Sequence, residues 1–333
     1  MKILYIGDIH ATPTELEDCE SLLQLILSSI STHRPDTIVH LGDGFHTHSV
    51  LSVDVISFFK RMTREISATG CKFLYLLGNH ETTGVYGSAI NALQVLDGDP
   101  VLCVTKPVVW NDFVLMPYFD RAEDFVKVAR SFSQKRMICH QSFNGAQFQE
   151  GFYDPNGVDP DDVPQQSIVS GHIHLPQRLG TKIWYPGAPR WKTLSDANVE
   201  RAIYICEYDS SQVGPVNTVT IPTDTHCRAI YALEDRPGAA MVMPEIPLGA
   251  PEPRIHIDVY GSPDHIRGRM TELDGSGYRI RTFPDQVKKI RARESDGIGA
   301  AMKKYVDAYE PRNGSTKADL QKLAAERVPW LMA

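Results

Sequence analysis

Short apolar runs alternate with amphipathic segments over the first two thirds of the chain, and this alternation constrains the fold most strongly. The runs are rich in β-branched and aromatic residues, as buried strands are, and lie at 2–7, 37–41, 73–77, 113–117, 136–139 and 167–170. Segments 14–31 and 50–67, between the first three runs, carry apolar residues at helical spacing. Strands that alternate with helices predict a mostly parallel sheet with helices on both faces.

The pattern changes after residue 175. Segments 177–187, 202–209 and 216–222 alternate polar and apolar residues without long helices between them. We expect them to form a second, more antiparallel sheet that closes a sandwich. The predicted fold class is therefore α/β, with two mixed β-sheets flanked by helices.

The sequence predicts a division into four parts. The sandwich domain is expected over 1–235, and residues 236–253 contain five prolines, which indicates a linker. A strand, a helix and a strand follow, so 254–296 is predicted to be a small α+β capping domain. Residues 297–333 contain two amphipathic stripes and are predicted to be a C-terminal helical segment that binds a partner.

Net charge differs between the two ends of the chain. The total is -7, which argues against a polyanionic partner, but residues 254–333 carry 15 basic against 11 acidic residues. The basic residues are densest at Arg279, Arg281, Lys288, Lys289, Arg291 and Arg293. This stretch is either a solvated surface or a contact for backbone phosphates of DNA.

The cysteines and the amino terminus favour the cytoplasm. Six cysteines are scattered without a CxxC pair, which is typical of reduced thiols. The first residues lack the apolar core of a secretory signal, and no span is long enough to cross a bilayer. We expect a cytoplasmic protein of a prokaryotic or phage-infected cell, neither secreted nor bound to a membrane.

Polar side chains follow five of the predicted strands, where each apolar run stops. The carboxyl ends of parallel strands meet at one edge of a sheet, so groups distant in sequence are expected to converge there. Carboxylates, an amide oxygen and imidazoles are ligands of borderline divalent ions, and their number suits two ions with one bridging carboxylate. The candidate residues are Asp8, His10, Asp43, Asn79, His80, His140, His172 and His174.

The motifs GDIH, GDG, GNHE, H and GHIH, in this order, resemble those of the calcineurin-like metallophosphoesterases. The resemblance spans residues 7–174 and implies two divalent metal ions, with Mn²⁺ expected and Mg²⁺, Fe²⁺ or Zn²⁺ as alternatives. It places one ion on Asp8, His10, Asp43 and His174, and the other on Asp43, Asn79, His140 and His172. It makes His80 a catalytic residue that stabilises or protonates the leaving oxygen, which a histidine can do near neutral pH.

Within that superfamily, the chain is most similar to the Mre11/SbcD nuclease subunits, especially the short form of T4-like phages. The similarity lies in the chain length, in YPGAPRWKTLSDA (185–197) and in AIYICEYD after it. It implies a homodimeric DNA exonuclease and endonuclease in repair or recombination, with a two-metal mechanism and a Rad50/SbcC-like ATPase subunit as partner. The ATPase is expected to bind a terminal helix through Ile298, Met302, Tyr305, Val306 and Tyr309.

The resemblance is not complete, and alternatives stay open. Gly44, His46 and Glu81 depart from the usual nuclease motifs. His46 and His48 are interpreted as loop histidines without a role rather than as extra ligands or substrate contacts. A stand-alone cyclic-nucleotide phosphodiesterase or protein phosphatase is the main alternative function, and a non-catalytic scaffold is the third.

Overall fold

A computed structural model describes residues 1–48, 50–82, 90–149 and 151–284 of the 333-residue chain. The helices expected over 297–333 lie outside these residues. Four α-helices are described: α1 (Leu16–His33), α2 (Val53–Ala68), α3 (Ala122–Ala129) and α4 (Pro263–Glu272). None of these helices combines the length and the apolarity that a membrane crossing requires.

Seventeen strands are described. In chain order they are β1 (Lys2–Ile6), β2 (Thr37–His40), β3 (Lys72–Leu76), β4 (Leu102–Val104), β5 (Val108–Trp110), β6 (Phe113–Met116), β7 (Arg136–His140), β8 (Gln147–Gln149), β9 (Phe152–Tyr153), β10 (Ser167–Gly171), β11 (Gln177–Leu179), β12 (Ile183–Tyr185), β13 (Ala202–Glu207), β14 (Asn217–Pro222), β15 (Ile230–Asp235), β16 (Arg254–Gly261) and β17 (Arg279–Pro284).

Two six-stranded mixed sheets dominate the fold, as the sequence predicted. The first has the order β14-β13-β1-β2-β3-β4, in which β1 to β4 are parallel and β13 and β14 are antiparallel. The second has the order β11-β12-β10-β7-β6-β5, with β12, β10, β7 and β6 parallel. Strands β8 and β9 form a separate hairpin.

The later strands do not form a sheet of their own, and that expectation was wrong. Strands β13 and β14 extend the first sheet beside β1, whereas β11 and β12 extend the second sheet beside β10. Their alternating pattern is that of antiparallel edge strands, which can join any sheet with a free edge. Local periodicity therefore indicated strands correctly but did not indicate which sheet receives them.

The core consists of three apolar layers. Ile3 and Tyr5 of β1 pack between the two sheets, while Leu4 and Ile6 of the same strand pack with α1 and α2. Helix α3 packs on the second sheet through Phe125. Because both faces of these strands are buried, their sequences are continuously apolar, as parallel strands usually are.

The local sequence determines where helix α2 begins, where it ends and which residues it buries. It begins at the N-cap Ser52, whose side chain accepts a hydrogen bond from the Asp54 amide. It ends just before Gly70, which has a positive φ of 86°. Its apolar residues recur at helical spacing, and Phe58 and Phe59 are among those buried.

The chain divides into two compact units. Of the described residues, the first contains those within 1–232 and 243–256, and the second contains 233–242 and 257–284. In the second unit, Asp235 pairs with Arg269 of α4, and Asp258 pairs with Arg281 of β17. Strands β15, β16 and β17 are neighbours in a small third sheet.

Candidate metal centre

The loops after five parallel strands bring the predicted ligands together at one edge of the sandwich. Strands β1, β2 and β3 of the first sheet and β7 and β10 of the second sheet end there. The structure places the whole set within this edge: Asp8, His10, Asp43, Asn79, His80, His140, His172 and His174. Their individual roles as ligands stay a prediction.

Asp8, His10 and His174 form a first group, with ligand atoms within 4.8 Å of one another. Nε2 of His10 lies 2.9 Å from Nε2 of His174. Oδ1 of Asp8 accepts a hydrogen bond from the His172 amide at 2.9 Å, whereas its Oδ2 is buried without a hydrogen-bond partner among the described residues. A buried carboxylate oxygen without a partner is costly unless a cation lies beside it.

Asp43, His140 and His172 form a second group of the same size. Oδ2 of Asp43 lies 3.3 Å from Nε2 of His140 and 3.8 Å from Nε2 of His10, so this oxygen faces both groups. Oδ1 of Asn79 accepts hydrogen bonds from Nε2 of His140 at 3.0 Å and Nδ1 of His172 at 2.8 Å. The position of Asp43 is the one that a bridging ligand would need.

The backbone is strained where ligands are presented. Among the described non-glycine residues with positive φ are His10 (48°), Asp43 (52°) and His172 (80°). Such conformations persist where the surrounding structure holds them, and they cluster at functional sites. Here the His10 amide donates to the Asp43 carbonyl at 2.9 Å, and the His80 amide donates to Oδ1 of Asp43 at 2.8 Å.

Two glycines of the motifs are required by close approach. A Cβ on Gly78 would lie 2.2 Å from Oδ1 of Asp43, and a Cβ on Gly42 would lie 2.4 Å from Nδ1 of His140. Gly42 also has a φ of 108°, which side chains rarely adopt. The glycines before the aspartate and the asparagine therefore leave room for the ligands themselves.

Hydrogen bonds and charges set the protonation of the imidazoles. Burial lowers the pKa of His10 well below its usual range, and burial together with His140 lowers the pKa of His172 to about 4. Burial would also lower the pKa of His140, but the Asp43 carboxylate outweighs it and raises this pKa to about 9. Nδ1 of His140 donates to the Leu41 carbonyl at 2.7 Å, so a bound cation would replace the proton on Nε2.

The donor set fits divalent cations. It combines two buried carboxylates, one amide oxygen and four imidazoles, and no cysteine belongs to either group. Borderline ions such as Mn²⁺, Fe²⁺ and Zn²⁺ prefer these ligands. In each group, a backbone hydrogen bond fixes one side chain and leaves its other polar atom for a cation. Oδ1 of Asp8 is held by the His172 amide, and Nδ1 of His140 is held by the Leu41 carbonyl. Such contacts are the usual way that a protein orients a ligand.

Comparison with protein families agrees with this chemistry. The sequence model of the calcineurin-like phosphoesterases matches residues 1–192, which is more than half of the chain and includes every candidate ligand. The chain belongs to the calcineurin-like phosphoesterase family. Membership implies hydrolysis of phosphate esters with bound divalent metal ions.

Individual relatives of this phosphoesterase are distant. It is 27% identical to "Putative phosphoesterase 244L" of Invertebrate iridescent virus 6 over 199 residues, which cover 56% of this chain and 69% of the relative. It is 21% identical to the D component of the SbcCD nuclease of Escherichia coli strain K12 over 275 residues, or 67% of this chain and 68% of the relative. The solved structure of Yfce, a phosphoesterase from E. coli, aligns with 66% of this chain and all of its own, at 15% identity and a TM-score of 0.32.

His80 lies next to the first group and, with His10 and His46, forms a third group whose ligand atoms are within 4.8 Å of one another. Its ring centroid is 4.5 Å from that of His10, and its Nδ1 donates to the His46 carbonyl at 2.6 Å. His48 stacks on His80 with the ring centroids 4.2 Å apart. His46 and His48 therefore border the candidate metal centre of the phosphoesterase, and their interpretation as loop histidines without a role stays a prediction.

Sequence reasoning missed the residues that hold the ligand loops. Glu81 is buried and accepts hydrogen bonds from the amides of Asp43, Phe45 and Gly78 at 2.9, 3.0 and 2.9 Å. In the sequence it stands out only as a departure from the usual motif. Burial, together with the charge of Asp43, raises the pKa of Glu81 to about 8.

Asp196 of the segment 185–197 and Arg201, which follows it, hold the loop of His174. Arg201 donates to Asp196 at 2.7 Å and to the His174 carbonyl, and Asp196 lies 3.8 Å from Nδ1 of His174. This carboxylate and guanidinium fix the loop of one candidate ligand. The resemblance of this segment to the nuclease family was the available signal, but that resemblance assigns no role to its residues.

The expected DNA and partner contacts are largely beyond the described part of the chain. Arg279 is exposed on β17, whereas Arg281 forms a paired contact with Asp258 at 2.6 and 2.7 Å. The other expected contacts lie outside the described residues: Lys288, Lys289, Arg291, Arg293, Ile298, Met302, Tyr305, Val306 and Tyr309.

Proposed function

We propose that this phosphoesterase is a two-metal DNA nuclease subunit of the Mre11/SbcD type. The observation that carries the proposal is that two groups of donors lie on either side of Oδ2 of Asp43, with His80 next to them. Bound divalent ions supply positive charge for the phosphoryl oxygens and lower the pKa of an attacking water. Of the candidate metals, Mn²⁺ is the one that we propose.

The protein's own residues would position the phosphodiester and stabilise or protonate the oxygen that leaves. Because the His46 carbonyl accepts from Nδ1 of His80, Nε2 is the atom of His80 that remains for the substrate. We assign to it the stabilisation or protonation of the leaving oxygen. The imidazoles of His10 and His174 and the carboxylate of Asp8 would hold one ion, and the second group with Asn79 would hold the other.

The nuclease assignment is supported by the extent of one similarity. The likeness to the D component of the E. coli SbcCD nuclease covers 67% of this chain, which is more than the family domain at residues 1–192. A phosphatase of small molecules would have no evident need for the additional chain after residue 253. The small module that contains β16, α4 and β17 is then proposed to help orient DNA.

We propose further that the segment 297–333 binds a Rad50/SbcC-like ATPase and that the protein is a homodimer. A chain truncated before Ile298 should still hydrolyse a simple phosphodiester with Mn²⁺ but should not associate with the ATPase. Co-purification of the two proteins measures this directly. Normal assembly of the truncated chain would place the docking site elsewhere.

A stand-alone phosphodiesterase or protein phosphatase is the second candidate function, because residues 1–253 carry a net charge of -11. Such a charge repels a polyanionic strand. Purified protein should be assayed with Mn²⁺ on linear duplex and single-stranded DNA, on a chromogenic phosphodiester and on a phosphopeptide. DNA cleavage that the ATPase and ATP stimulate supports the nuclease; hydrolysis of only the chromogenic ester or the phosphopeptide supports the alternative.

A further inference from the structure

The hairpin β8–β9 exposes three aromatic side chains. Phe148, Phe152 and Tyr153 are 47%, 63% and 59% exposed. Aromatic rings of this size usually lie in the core, and apolar side chains that are exposed together mark binding surfaces. None of the roles assigned above uses this hairpin.

Phe148 borders the metal centre. Its ring centroid is 6.4 Å from that of His172, and the two rings meet edge to face at 74°. Tyr118 lies on the same imidazole, with the ring centroids 5.8 Å apart. Because His172 is a candidate ligand, a molecule that packs on Phe148 would lie next to the phosphate that is hydrolysed. The substrate is the molecule expected at this position.

The hairpin is tied to the segment that carries the ligands. The Gln147 amide donates to Oε1 of Gln177 at 2.9 Å, and Nε2 of Gln177 donates back to the Gln147 carbonyl at 2.7 Å. The strand register shifts between Gln147 and Gln149, so Phe148 lies at a bulge. Bulges re-aim a side chain and are frequent beside active sites. The backbone next to Phe148 is therefore held in place before any substrate arrives.

We propose that Phe148 stacks on an unpaired base next to the scissile phosphate, so that the substrate is a single-stranded or frayed strand. This inference rests on the proposed nuclease function. The hairpin sequence 147–153 contains no basic residue, and its one charged residue, Glu150, is acidic, so it would recognise a strand through the face of a base rather than through its phosphates. Every base has such a face, and stacking on an aromatic ring is accordingly tolerant of sequence.

The test compares two single-stranded oligonucleotides with the same phosphates. One carries all of its bases, and the other has abasic residues on both sides of the cleaved position. With Mn²⁺, the wild-type chain should have a lower KM for the first. Phe148→Ala should raise that KM about tenfold, leave the KM for the abasic strand unchanged, and keep the metal content.

Two matched variants separate stacking from simple apolar packing. Phe148→Leu keeps an apolar side chain without an aromatic face, and it should behave like Phe148→Ala. Val109→Ala removes apolar area from an exposed residue of β5 and should change neither KM. A variant Phe148→Ala that loses metal, or that weakens both substrates equally, would show that the ring only packs on His172 and would overturn the proposal.

Binding measurements keep the inference distinct from the nuclease function. Fluorescence anisotropy of the same labelled strands reports affinity even when no strand is cleaved. Tighter binding of the base-bearing strand that disappears in Phe148→Ala would support stacking even if the nuclease function failed. Equal affinity of the wild-type chain for both strands would overturn it, whether or not DNA is cleaved.

Discussion

Arg190 holds the backbone of His10, although 180 residues separate them in sequence. Its Nε donates to the Ile9 carbonyl at 2.7 Å and its Nη2 donates to the His10 carbonyl at 3.1 Å. Arg190 is only 1% exposed, and Glu15 balances its charge at 2.8 Å. This guanidinium thus stabilises the strained loop that presents a candidate ligand.

Removal of that guanidinium should damage both the fold and the metal centre. Arg190→Ala leaves two buried carbonyls without a donor, and we expect the free energy of unfolding to fall by about 3 kcal/mol. Chemical denaturation measures the loss, and metal analysis should show weaker binding. Arg121→Ala, at an exposed arginine, is the control and should change little. A stability within about 0.5 kcal/mol of wild type would contradict this role.

The candidate ligands could be predicted because their positions follow from local sequence. Asp8 and Asn79 each come shortly after an apolar run, and the ends of parallel strands meet whatever the rest of the chain does. Arg190 and Glu81 could not be predicted in this way. Their hydrogen-bond partners are backbone groups of other loops, and a backbone group has no signature in the sequence.

The same limit of local sequence explains why the sheet that receives β13 could not be predicted. The pairing of β13 with β1 joins residues about 200 positions apart, such as Lys2 and Glu207. The alternating pattern of β13 indicates an antiparallel strand, but both sheets of the sandwich offered an edge that it could join. Long-range packing determines that β13 joins the first sheet, and sequence periodicity carries no information about such packing.

The network around Glu15 should make stability depend on pH. Burial would raise the pKa of Glu15, but hydrogen bonds and charges from Lys192 and Arg190 lower it from 4.5 to about 2. Since the folded pKa is depressed, the ionised carboxylate stabilises the protein above pH 4.5, and this stabilisation is lost as pH falls towards 2.

Glu15→Gln tests this dependence. With allowance for solvent screening, we expect it to lower the free energy of unfolding by about 1–2 kcal/mol at pH 7. Denaturation curves at several pH values should show the difference from wild type shrinking below pH 4.5. Glu17→Gln, at an exposed position in the first turn of α1, is the matched control. A difference that is constant with pH would exclude the linkage.

His80 should affect the rate of hydrolysis more than the metal content. Because the proposed first site uses Asp8, His10, His174 and Asp43 but not His80, His80→Ala should lower kcat on DNA by roughly 10²–10⁴-fold and leave metal bound. Parallel kinetics and metal analysis of the same preparation measure both quantities. Proportional losses of rate and metal would identify His80 as a ligand instead.

The central claim is that the donors form two cation sites that share Asp43. Titration of the full chain with Mn²⁺, followed by calorimetry, counts the sites and tests this most directly. We expect two ions per wild-type chain, one strongly bound ion in His174→Ala or His140→Ala, and neither strongly bound ion nor hydrolysis in Asp43→Ala at any Mn²⁺ concentration. A wild-type chain that binds a single ion, or an Asp43→Ala chain that keeps two ions and turns over substrate, would contradict the account.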